Sequence, residues 1–205
     1  IDINFVQNVK KLCTYMKPMF KEYRDIFTGN VILRNRFKGV GKITKENAIG
    51  YGCTGGTGRA AGWNNDVRKN HPYDMYDKVD FKEIIYSNGD SFDRYIVRMD
   101  EMEQSVHILE QLIDNIPAGD FYVKQKPIIR VPEGQWYYSC EGSRGEIGVY
   151  LDSRAENDKS PYRLKFRPMG LPLVSAMDEI LSGEKIADLI AVGASLDYVI
   201  PDIDR

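Results

Sequence analysis

The sequence lacks the long apolar runs, the cysteine pairs and the excess of positive charge that mark several large classes of protein. No apolar stretch approaches the roughly 18 residues that a membrane-spanning helix needs, and we find no signal peptide. Cys13, Cys53 and Cys140 are too few and too widely spaced for a disulfide framework, which indicates a reduced, cytosolic setting. The net charge of −2 leaves no basic footprint for nucleic acid.

Groups that could carry catalysis or hold a metal are also scarce. His71 and His107 are far apart, and neither has a cysteine or carboxylate pair at metal-ligand spacing. Nothing beside Cys53 in the sequence would lower its pKa and make it a nucleophile. We therefore assign no catalytic or metal-binding residue, and we do not expect the chain alone to be a self-sufficient enzyme.

One glycine-rich segment formally fits a nucleotide-binding motif. Residues 56–61 read Gly-Thr-Gly-Arg-Ala-Ala, which matches the dinucleotide fingerprint G-x-G-x-x-A. That fingerprint needs a buried strand before it and a helix opening on it. The preceding residues 46–50 are typical of a helix end instead, so we expect an irregular, closely packed backbone here.

The most informative stretch of the sequence follows Gly89. Apolar residues recur there every three to four positions, which is typical of a helix that packs one face against a core. Asp90 or Ser91 can cap the first turn, and Pro117 cannot continue the helical hydrogen bonding. The pattern predicts one helix that runs to Ile116, roughly 40 Å long, around which the chain is organised.

The remaining pattern predicts a helix-dominated α+β fold with a small antiparallel sheet. Apolar spacing over residues 2–27 indicates a helix that Pro18 should kink or split and that ends at Gly29-Asn30. The other predicted elements are a short helix after Thr44, strands over residues 135–141 and 146–151 joined by a hairpin at 142–145, a third strand over 161–167, and helices over 173–181 and 184–192.

These elements divide the chain into three parts. Residues 1–117 are predicted to be mainly helical, with an irregular glycine-rich stretch at 50–82. Residues 118–170 form a small β region, and residues 171–205 hold two short helices and a C-terminal tail that begins at Gly193. Because the sequence begins Ile1-Asp2-Ile3 without Met, we interpret it as a piece of a longer protein.

The third strand presents two different faces. Its side chains alternate between apolar and cationic, so the two sets point in opposite directions. The cations could form a solvated face or a contact with another subunit, and the sequence leaves both interpretations open. The apolar set is Tyr162, Leu164 and Phe166, and the cationic set is Arg163, Lys165 and Arg167.

Four blocks of residues follow a recognisable order along the chain. The first resembles the motifs R-x-S-G, D-[LV]-R-K and P-Y-x-x-Y-D, and the third is similar to K-G-E-x-G-x-Y and P-Y-R. The second lies on the predicted long helix, and the fourth closes the chain. The blocks are residues 58–62, 66–73 and 76–77; residues 89–90, 93–95, 98 and 101–102; residues 144–151 and 161–163; and residues 186–191, 197 and 202–205.

Together these blocks resemble the C-terminal half of the D subunit of proton-pumping NADH:quinone oxidoreductase, respiratory complex I. That protein is related to the large subunit of nickel–iron hydrogenases, which implies a fold of that type. Three features depart from the family. Only residues 120–135 separate the long helix from the hairpin, Ala61 stands where the family commonly has Ser, and Pro201 is unusual in the terminal segment.

The hydrogenase relationship makes the C-terminal tail a candidate site. Hydrogenases hold nickel with two Cys-x-x-Cys pairs, because soft thiolates suit that metal. Val199 and Asp202 stand where the cysteines of the second pair would be, so the resemblance implies no nickel here and a cavity suited to a quinone headgroup. We predict that Val199, Ile200, Pro201 and Asp202 line the edge of that cavity. The alternative is that the tail packs at a subunit seam.

The resemblance also implies partners and a place in the cell. Electrons would arrive through iron–sulfur clusters, the last held by a neighbouring small subunit, and reduce a membrane quinone in a cavity between the two subunits. Reduction would be coupled to proton pumping by membrane subunits. The implied partners include the complex I C subunit, either as a separate chain or fused upstream, and the implied location is the cytoplasmic face of the inner membrane. This chain itself would hold no metal.

Four arginines in the family blocks are further candidates, namely Arg59, Arg68, Arg144 and Arg163. The resemblance implies that they face the cluster or make internal ion pairs. Two other function classes stay open. One is a subunit of a ferredoxin-linked or membrane-hydrogenase-type complex, and the other is a scaffold homologue without redox activity.

Overall fold

The computed structural model describes residues 3–120, 122–124, 130–155 and 160–204, and these residues form an α+β fold as the sequence predicts. Helices precede and follow a three-stranded antiparallel sheet with strand order β1-β2-β3. The elements are α1 Ile3–Tyr23, α2 Val31–Phe37, α3 Lys45–Tyr51, α4 Gly55–Ala60, α5 Val67–Asn70, α6 Ser91–Leu112, β1 Gly134–Gly142, β2 Gly145–Ser153, β3 Arg163–Arg167, α7 Gly170–Ser175, α8 Met177–Ile180, α9 Asp188–Leu196 and α10 Ile200–Ile203.

Helix α6 is the predicted long helix, and α1, α4 and α9 pack against it. The Asp90 side chain caps its first turn, because one carboxylate oxygen accepts from the Asp93 amide at 2.8 Å. The other oxygen accepts from the Gly39 amide at 2.7 Å and so ties the cap to the preceding loop. The helix ends at Leu112, four residues before the predicted end at Ile116.

The largest group of buried apolar side chains lies between the glycine-rich segment and the C-terminal helices. It joins residues of α3 and its flanks to residues of α7, α8 and α9. A smaller group, Cys13, Phe20 and Val106, lies between α1 and α6. The members of the main group are Ile43, Ala48, Cys53, Ala61, Leu173, Ala176, Ile180, Val192 and Leu196.

The N-terminal helix ends at Gly29 as predicted, but Pro18 does not split it and Asn30 belongs to the next helix. It is not split at Pro18 but continues to Tyr23, since packing of its apolar side against α6 compensates for the hydrogen bond that proline cannot make. A π-helical turn, Arg24–Thr28, then ends it. Asn30 begins a helix rather than ending one, because its side chain accepts from the amides of Ile32 and Leu33 and caps α2.

The glycine-rich segment is closely packed, but it is not irregular as predicted. Residues Gly55–Ala60 form helix α4, and every residue of this helix is buried. Its glycines allow close approach of other backbone. A Cβ on Gly55 would lie 2.5 Å from the Arg144 carbonyl oxygen, and a Cβ on Gly58 would lie 2.5 Å from the Cys53 carbonyl oxygen. Tertiary packing therefore overrides the low helix propensity of glycine.

The sheet confirms the predicted hairpin and leaves one apolar face exposed. Gly142 pairs with Gly145, so Ser143 and Arg144 form the two-residue turn. On one face, two rows of apolar side chains cross all three strands in register. The rows are Trp136, Leu151 and Leu164, and Tyr138, Val149 and Phe166; the four members on the outer strands are 41–62% exposed.

The cationic side chains of β3 lie on the opposite face. Arg163 and Lys165 line an open depression of about 500 Å³ together with Tyr150 and Arg154. Arg167 is half-buried instead, and it donates to the carbonyl oxygens of Glu146 and Gly52. Both faces of this edge strand are therefore accessible, which leaves the two interpretations of its cations open.

The C-terminal part is more helical than predicted. The helix predicted to end at Val192 continues as α9 to Leu196, and residues Ile200–Ile203 of the predicted tail form the short helix α10. The boundary was wrong because Gly193 does not end α9; residue Asp197 caps it in the left-handed conformation. Among the residues that the structure describes, no helix is both long and apolar enough to cross a membrane.

We expect Gly55→Ala to destabilise the fold much more than Gly39→Ala. Both glycines have a positive φ, +69° and +74°, but a Cβ at position 39 has nothing within 4 Å whereas one at position 55 meets the hairpin backbone at 2.5 Å. The expected losses of unfolding free energy are about 1–2 kcal/mol at position 39 and about 3 kcal/mol or more at position 55. Urea unfolding followed by circular dichroism measures both. Equal losses would show that the close approach of α4 and the hairpin is not required.

Candidate functional site

The C-terminal tail turns away from α9 at a strained residue. Asp197 has a left-handed backbone, with φ 55° and ψ 38°, which a residue with a side chain seldom adopts. Its amide donates to the Gly193 carbonyl oxygen at 3.1 Å and closes the end of α9. The chain then runs through Tyr198 and Val199 into α10. The direction of the tail is therefore set by the backbone at this turn.

Arg144 of the hairpin holds this turn in place. Its Nε donates to the Asp197 carbonyl oxygen at 2.7 Å and lies 3.2 Å from the carboxylate. The hairpin itself is fixed on the other side by Thr54, whose hydroxyl accepts from the Glu146 amide at 3.0 Å. The glycine-rich segment, the hairpin and the tail are thus linked in one continuous set of contacts.

The four predicted tail residues form a short bend rather than a flat wall. Val199 and Asp202 are half-buried, while Ile200 and Pro201 are exposed. The Asp202 carboxylate accepts from the Gly170 amide at 2.5 Å, which turns its charge towards α7. Val199 has an extended backbone and precedes the first residue of α10.

Beside this bend lies an open apolar depression of about 410 Å³. Its volume is within the range of small-molecule sites, which combine apolar walls with a few polar groups. Of the four predicted residues, Ile200 lines it directly. The full lining is Val174, Met177, Tyr198, Ile200, Ile203 and Asp204.

A buried ion-pair network lies between α4, α6 and β1. Arg59, whose side chain is 3% exposed, donates from Nε to Glu101 at 2.7 Å and from Nη1 to Glu141 at 2.8 Å. Arg68 makes a two-pronged contact with the Asp66 carboxylate at 2.9 and 2.6 Å. Asp66 also lies 3.9 Å from Arg59, so the two arginines share one network.

The pKa values in this network reflect burial and shared charge. Burial raises the pKa of Glu141 above its ordinary value, and nearby Asp66 adds to this effect, although Arg59 opposes both. Burial acts the same way on Asp66, but the hydrogen bond and charge of Arg68 outweigh it and lower the pKa of Asp66. The pKa values of the two carboxylates are therefore shifted in opposite directions.

An open cavity of about 340 Å³ joins the network to the tail. Its walls include Arg59 and Arg68 on one side and Asp197 on the other. Arg98 of α6 also lines it and donates to backbone carbonyls of α9. The sequence alone indicates no role for Arg98, Glu101 or Glu141, because their contacts join distant parts of the chain.

The candidate residues are not gathered into one site. Arg59 and Arg68 belong to the buried network, and Arg144 belongs to the tail anchor. Arg163 lies apart from them on the exposed side of β3. The roles implied by the resemblance, including any that face a cluster, therefore stay predictions for all four arginines and for the tail.

The other polar candidates have ordinary surroundings. His71 and His107 are exposed, and Cys53 is buried with its pKa raised by burial to about 11, which keeps the thiol protonated at neutral pH. Residues 56–61 of the nucleotide fingerprint are buried and follow helix α3 rather than a strand. Among the described residues, no three histidine, cysteine or carboxylate side chains are grouped as metal ligands.

Comparison with solved structures identifies the class of protein. The fold is of the nickel–iron hydrogenase large-subunit type. A chain of the membrane-bound sulfane sulfur reductase, an archaeal respiratory membrane complex, matches it with a TM-score of 0.90 and 33% sequence identity. The match covers 99% of this chain and 56% of that one.

The family follows from the sequence comparisons. The pattern that defines the respiratory-chain NADH dehydrogenase 49 kDa subunit matches residues 1–130 and 124–205, and the chain belongs to this family. It is 63% identical over 202 residues to the C/D subunit of an NADH-quinone oxidoreductase of Bacteroides fragilis, covering 98% of this chain and 38% of that protein. It is 45% identical over 206 residues to the D subunit of an NADH-quinone oxidoreductase of Desulfotalea psychrophila, covering 100% and 55%.

These comparisons confirm the fold class and the family resemblance. They also show that the chain spans between about two fifths and just over half of the curated relatives described above.

We expect Arg59→Met to destabilise the protein strongly at pH 7 and less at pH 5. The variant leaves Glu141 and Asp66 buried without this cation, a loss of about 3–5 kcal/mol at pH 7. The folded-state pKa of Glu141 is already raised, and it rises further in the variant because Arg59 no longer lowers it. As the pH falls, Glu141 therefore takes up a proton in the folded state before it does so in the unfolded state. The stability of the variant therefore increases as the pH falls through this interval.

Urea unfolding at both pH values measures this effect. Arg163→Met is the matched control, since it removes an exposed arginine and should change stability by less than about 0.5 kcal/mol at either pH. A loss for Arg59→Met that does not depend on pH would contradict the assigned role of Glu141.

Proposed function

We propose that the parent protein is the D-type subunit of an NADH:quinone oxidoreductase and that residues 199–202 edge the cavity where quinone is reduced. The observation that carries the proposal is the apolar depression of about 410 Å³ beside α10. Support comes from the family and from relatives named as the C/D and D subunits of NADH-quinone oxidoreductases.

The chemistry of the tail suits a flat, neutral ring better than a metal ion. Val199 has no ligating atom, and the Asp202 carboxylate is engaged by the Gly170 amide. Thiolates, which soft metal centres require, do not occur in the sequence after Cys140. Apolar side chains such as Ile200 and Ile203 can pack against a ring face, while the Tyr198 hydroxyl offers a polar contact at its edge.

In this function the chain supplies shape and polarity rather than the redox centre. Conversion of a quinone to a quinol takes up two electrons and two protons. We propose that the electrons come from an iron–sulfur cluster of a partner protein, and that the proton donors lie in the part of the parent protein outside this chain. The role of residues 199–202 is to seat the headgroup and exclude water.

The partners follow from the same proposal. They are the iron–sulfur subunit, the membrane subunits that couple reduction to proton pumping, and the C subunit. A parent fused to the C subunit is favoured because the Bacteroides fragilis relative, at 63% identity, is named as a C/D subunit. The assembly would lie on the cytoplasmic face of the inner membrane, with this chain peripheral to the bilayer.

A second function is favoured by the structural comparison alone. The fold also matches a chain of a sulfane sulfur reductase at a TM-score of 0.90. A sulfur-reducing complex of the same architecture would reduce sulfane sulfur instead of quinone. The 33% identity of that match is well below the 63% of the NADH-quinone oxidoreductase relative, so quinone is the better supported substrate.

The test places Val199→Trp in the full-length parent gene, expressed in its own membranes. Quinone reduction that is sensitive to a quinone-site inhibitor is measured beside reduction of an artificial acceptor that takes electrons upstream. We expect a loss of quinone reduction of roughly tenfold or more with the upstream reaction unchanged, because an indole ring beside Ile200 crowds the depression that Ile200 lines. Val31→Trp on α2 is the matched control, since Val31 is 66% exposed and should leave both reactions intact.

Three outcomes would contradict the proposal. Normal quinone reduction in an assembled Val199→Trp complex would show that the tail only packs at a subunit seam. Unmutated membranes that reduce sulfane sulfur but not quinone would favour the sulfur-reductase function instead. If the unmutated membranes reduce neither quinone nor sulfane sulfur, the scaffold interpretation would be favoured.

A further inference from the structure

Three successive carbonyl groups at the end of α9 are bound by arginines from two other parts of the fold. Arg98 of α6 donates from Nη1 to the Ser195 carbonyl oxygen at 2.6 Å and from Nη2 to the Leu196 carbonyl oxygen at 3.3 Å. Arg144 of the hairpin donates to the next carbonyl oxygen, that of Asp197, at 2.7 Å. Residues 195–197 are the last before the chain turns into the tail.

This arrangement suits the chemistry of a helix end. The last carbonyl groups of a helix have no partner within it, and together they carry partial negative charge. A guanidinium group presents several N–H donors in a rigid plane, so one arginine can bind two such oxygens and fix their relative position. Arg98 does this while its Nη1 also donates to the Arg94 carbonyl oxygen at 3.1 Å, one turn earlier on α6.

Arg98 is half-buried, and its guanidinium donates to backbone carbonyl oxygens. Within the described residues it makes no ion pair, and Asp197 acts on it only from a distance. Burial lowers its pKa, which shows that the surroundings make the charge costly. The carbonyl groups at the end of α9 compensate this charge together with the more distant carboxylates of Asp197 and Glu101, so movement of Arg98 away from α9 is opposed.

The position of the tail depends on these contacts. Asp197 reverses the chain in a left-handed conformation, and Val199 follows two residues later. A small rotation of the carbonyls at 195 and 196 would be carried through this turn into α10. Arg98, which belongs to the central helix α6, therefore fixes the point at which the tail leaves α9.

We propose that Arg98 is a positioning residue for the quinone site, which holds the end of α9 so that Val199 and α10 keep their place at the cavity edge. The inference rests on the proposed function, and it adds a residue that neither touches the depression beside α10 nor belongs to the tail. Its expected signature is a change in quinone affinity in a complex that is otherwise assembled and active upstream.

The test places Arg98→Met and Arg98→Lys in the full-length parent gene, expressed in its own membranes. The KM for quinone and the affinity of a quinone-site inhibitor are measured, with the upstream acceptor reaction as the measure of assembled complex. We expect Arg98→Met to raise the KM by roughly tenfold or more, because displacement of a positioning group by about 1 Å is costly. Arg98→Lys should raise it less, since an ammonium group keeps the charge and can bind one carbonyl.

The matched control is Arg36→Met, which acts on the opposite end of the same helix. Arg36 donates to the Ala187 carbonyl oxygen at 2.7 Å and lies 3.0 Å from the Asp188 carboxylate at the start of α9. Its loss removes similar contacts but none near the tail. We expect the KM for quinone to stay within about twofold of the unmutated value.

The outcomes separate this inference from the proposed function. If Val199→Trp impairs quinone reduction but Arg98→Met leaves the KM unchanged, the inference about Arg98 is wrong and the proposed function stands. If Val199→Trp has no effect in an assembled complex, the proposed function fails and the inference fails with it. Loss of the upstream reaction and of assembly in both Arg98 variants would also overturn the inference, because Arg98 would then serve the whole fold rather than the tail.

Discussion

Burial of guanidinium groups is the constraint on which the rest of this structure depends. A buried cation is tolerated only where oxygen atoms surround it, because the lost hydration must be replaced. Arg59 meets this requirement with carboxylates, whereas Arg94 meets it with the carbonyl oxygens of Gly89 and Gly41 and the hydroxyls of Ser91 and Ser195. In the described residues, no buried side-chain nitrogen or oxygen is left without a hydrogen-bond partner.

The two kinds of oxygen partner have different consequences for the response to pH. A carboxylate partner can be neutralised by a proton, so the Arg59 network responds to pH through Glu141. Carbonyl and hydroxyl partners cannot, and burial among them lowers the pKa of Arg94 only to about 10. The charge of Arg94 therefore does not change near neutral pH, whereas protonation of Glu141 would weaken the network beside β1.

Local signals in the sequence predicted the elements that local interactions build. Asp90 caps α6 as expected, and the glycines at 142 and 145 enclose the predicted hairpin turn. Helix α4 was missed because three of its six residues are glycine, and the contacts that stabilise it come from α6 and the hairpin. Asn30 suits a helix end and a helix start equally well, and only the following hydrogen bonds distinguish the two.

The residues of the candidate site also fall into two groups, those that the sequence identified and those whose roles only the structure shows. The tail residues were found because family resemblance marks positions along the chain, and a resemblance needs no folded structure. Arg98 lies in a family block, but its role was not found, and Glu141 was not marked at all, since each acts on residues far from it in sequence, such as Ser195 and Arg59. A single arginine on a helix carries no sign of which carbonyl group it will bind, so only the packed structure reveals its role.

The exposed apolar face of the sheet has a consequence for the making of this protein. Trp136, Tyr138, Leu164 and Phe166 form a continuous surface on strands that other chains could join. While it stays uncovered, this surface makes the chain prone to aggregation. We expect chaperones and proteases to act on the chain for as long as this surface stays exposed.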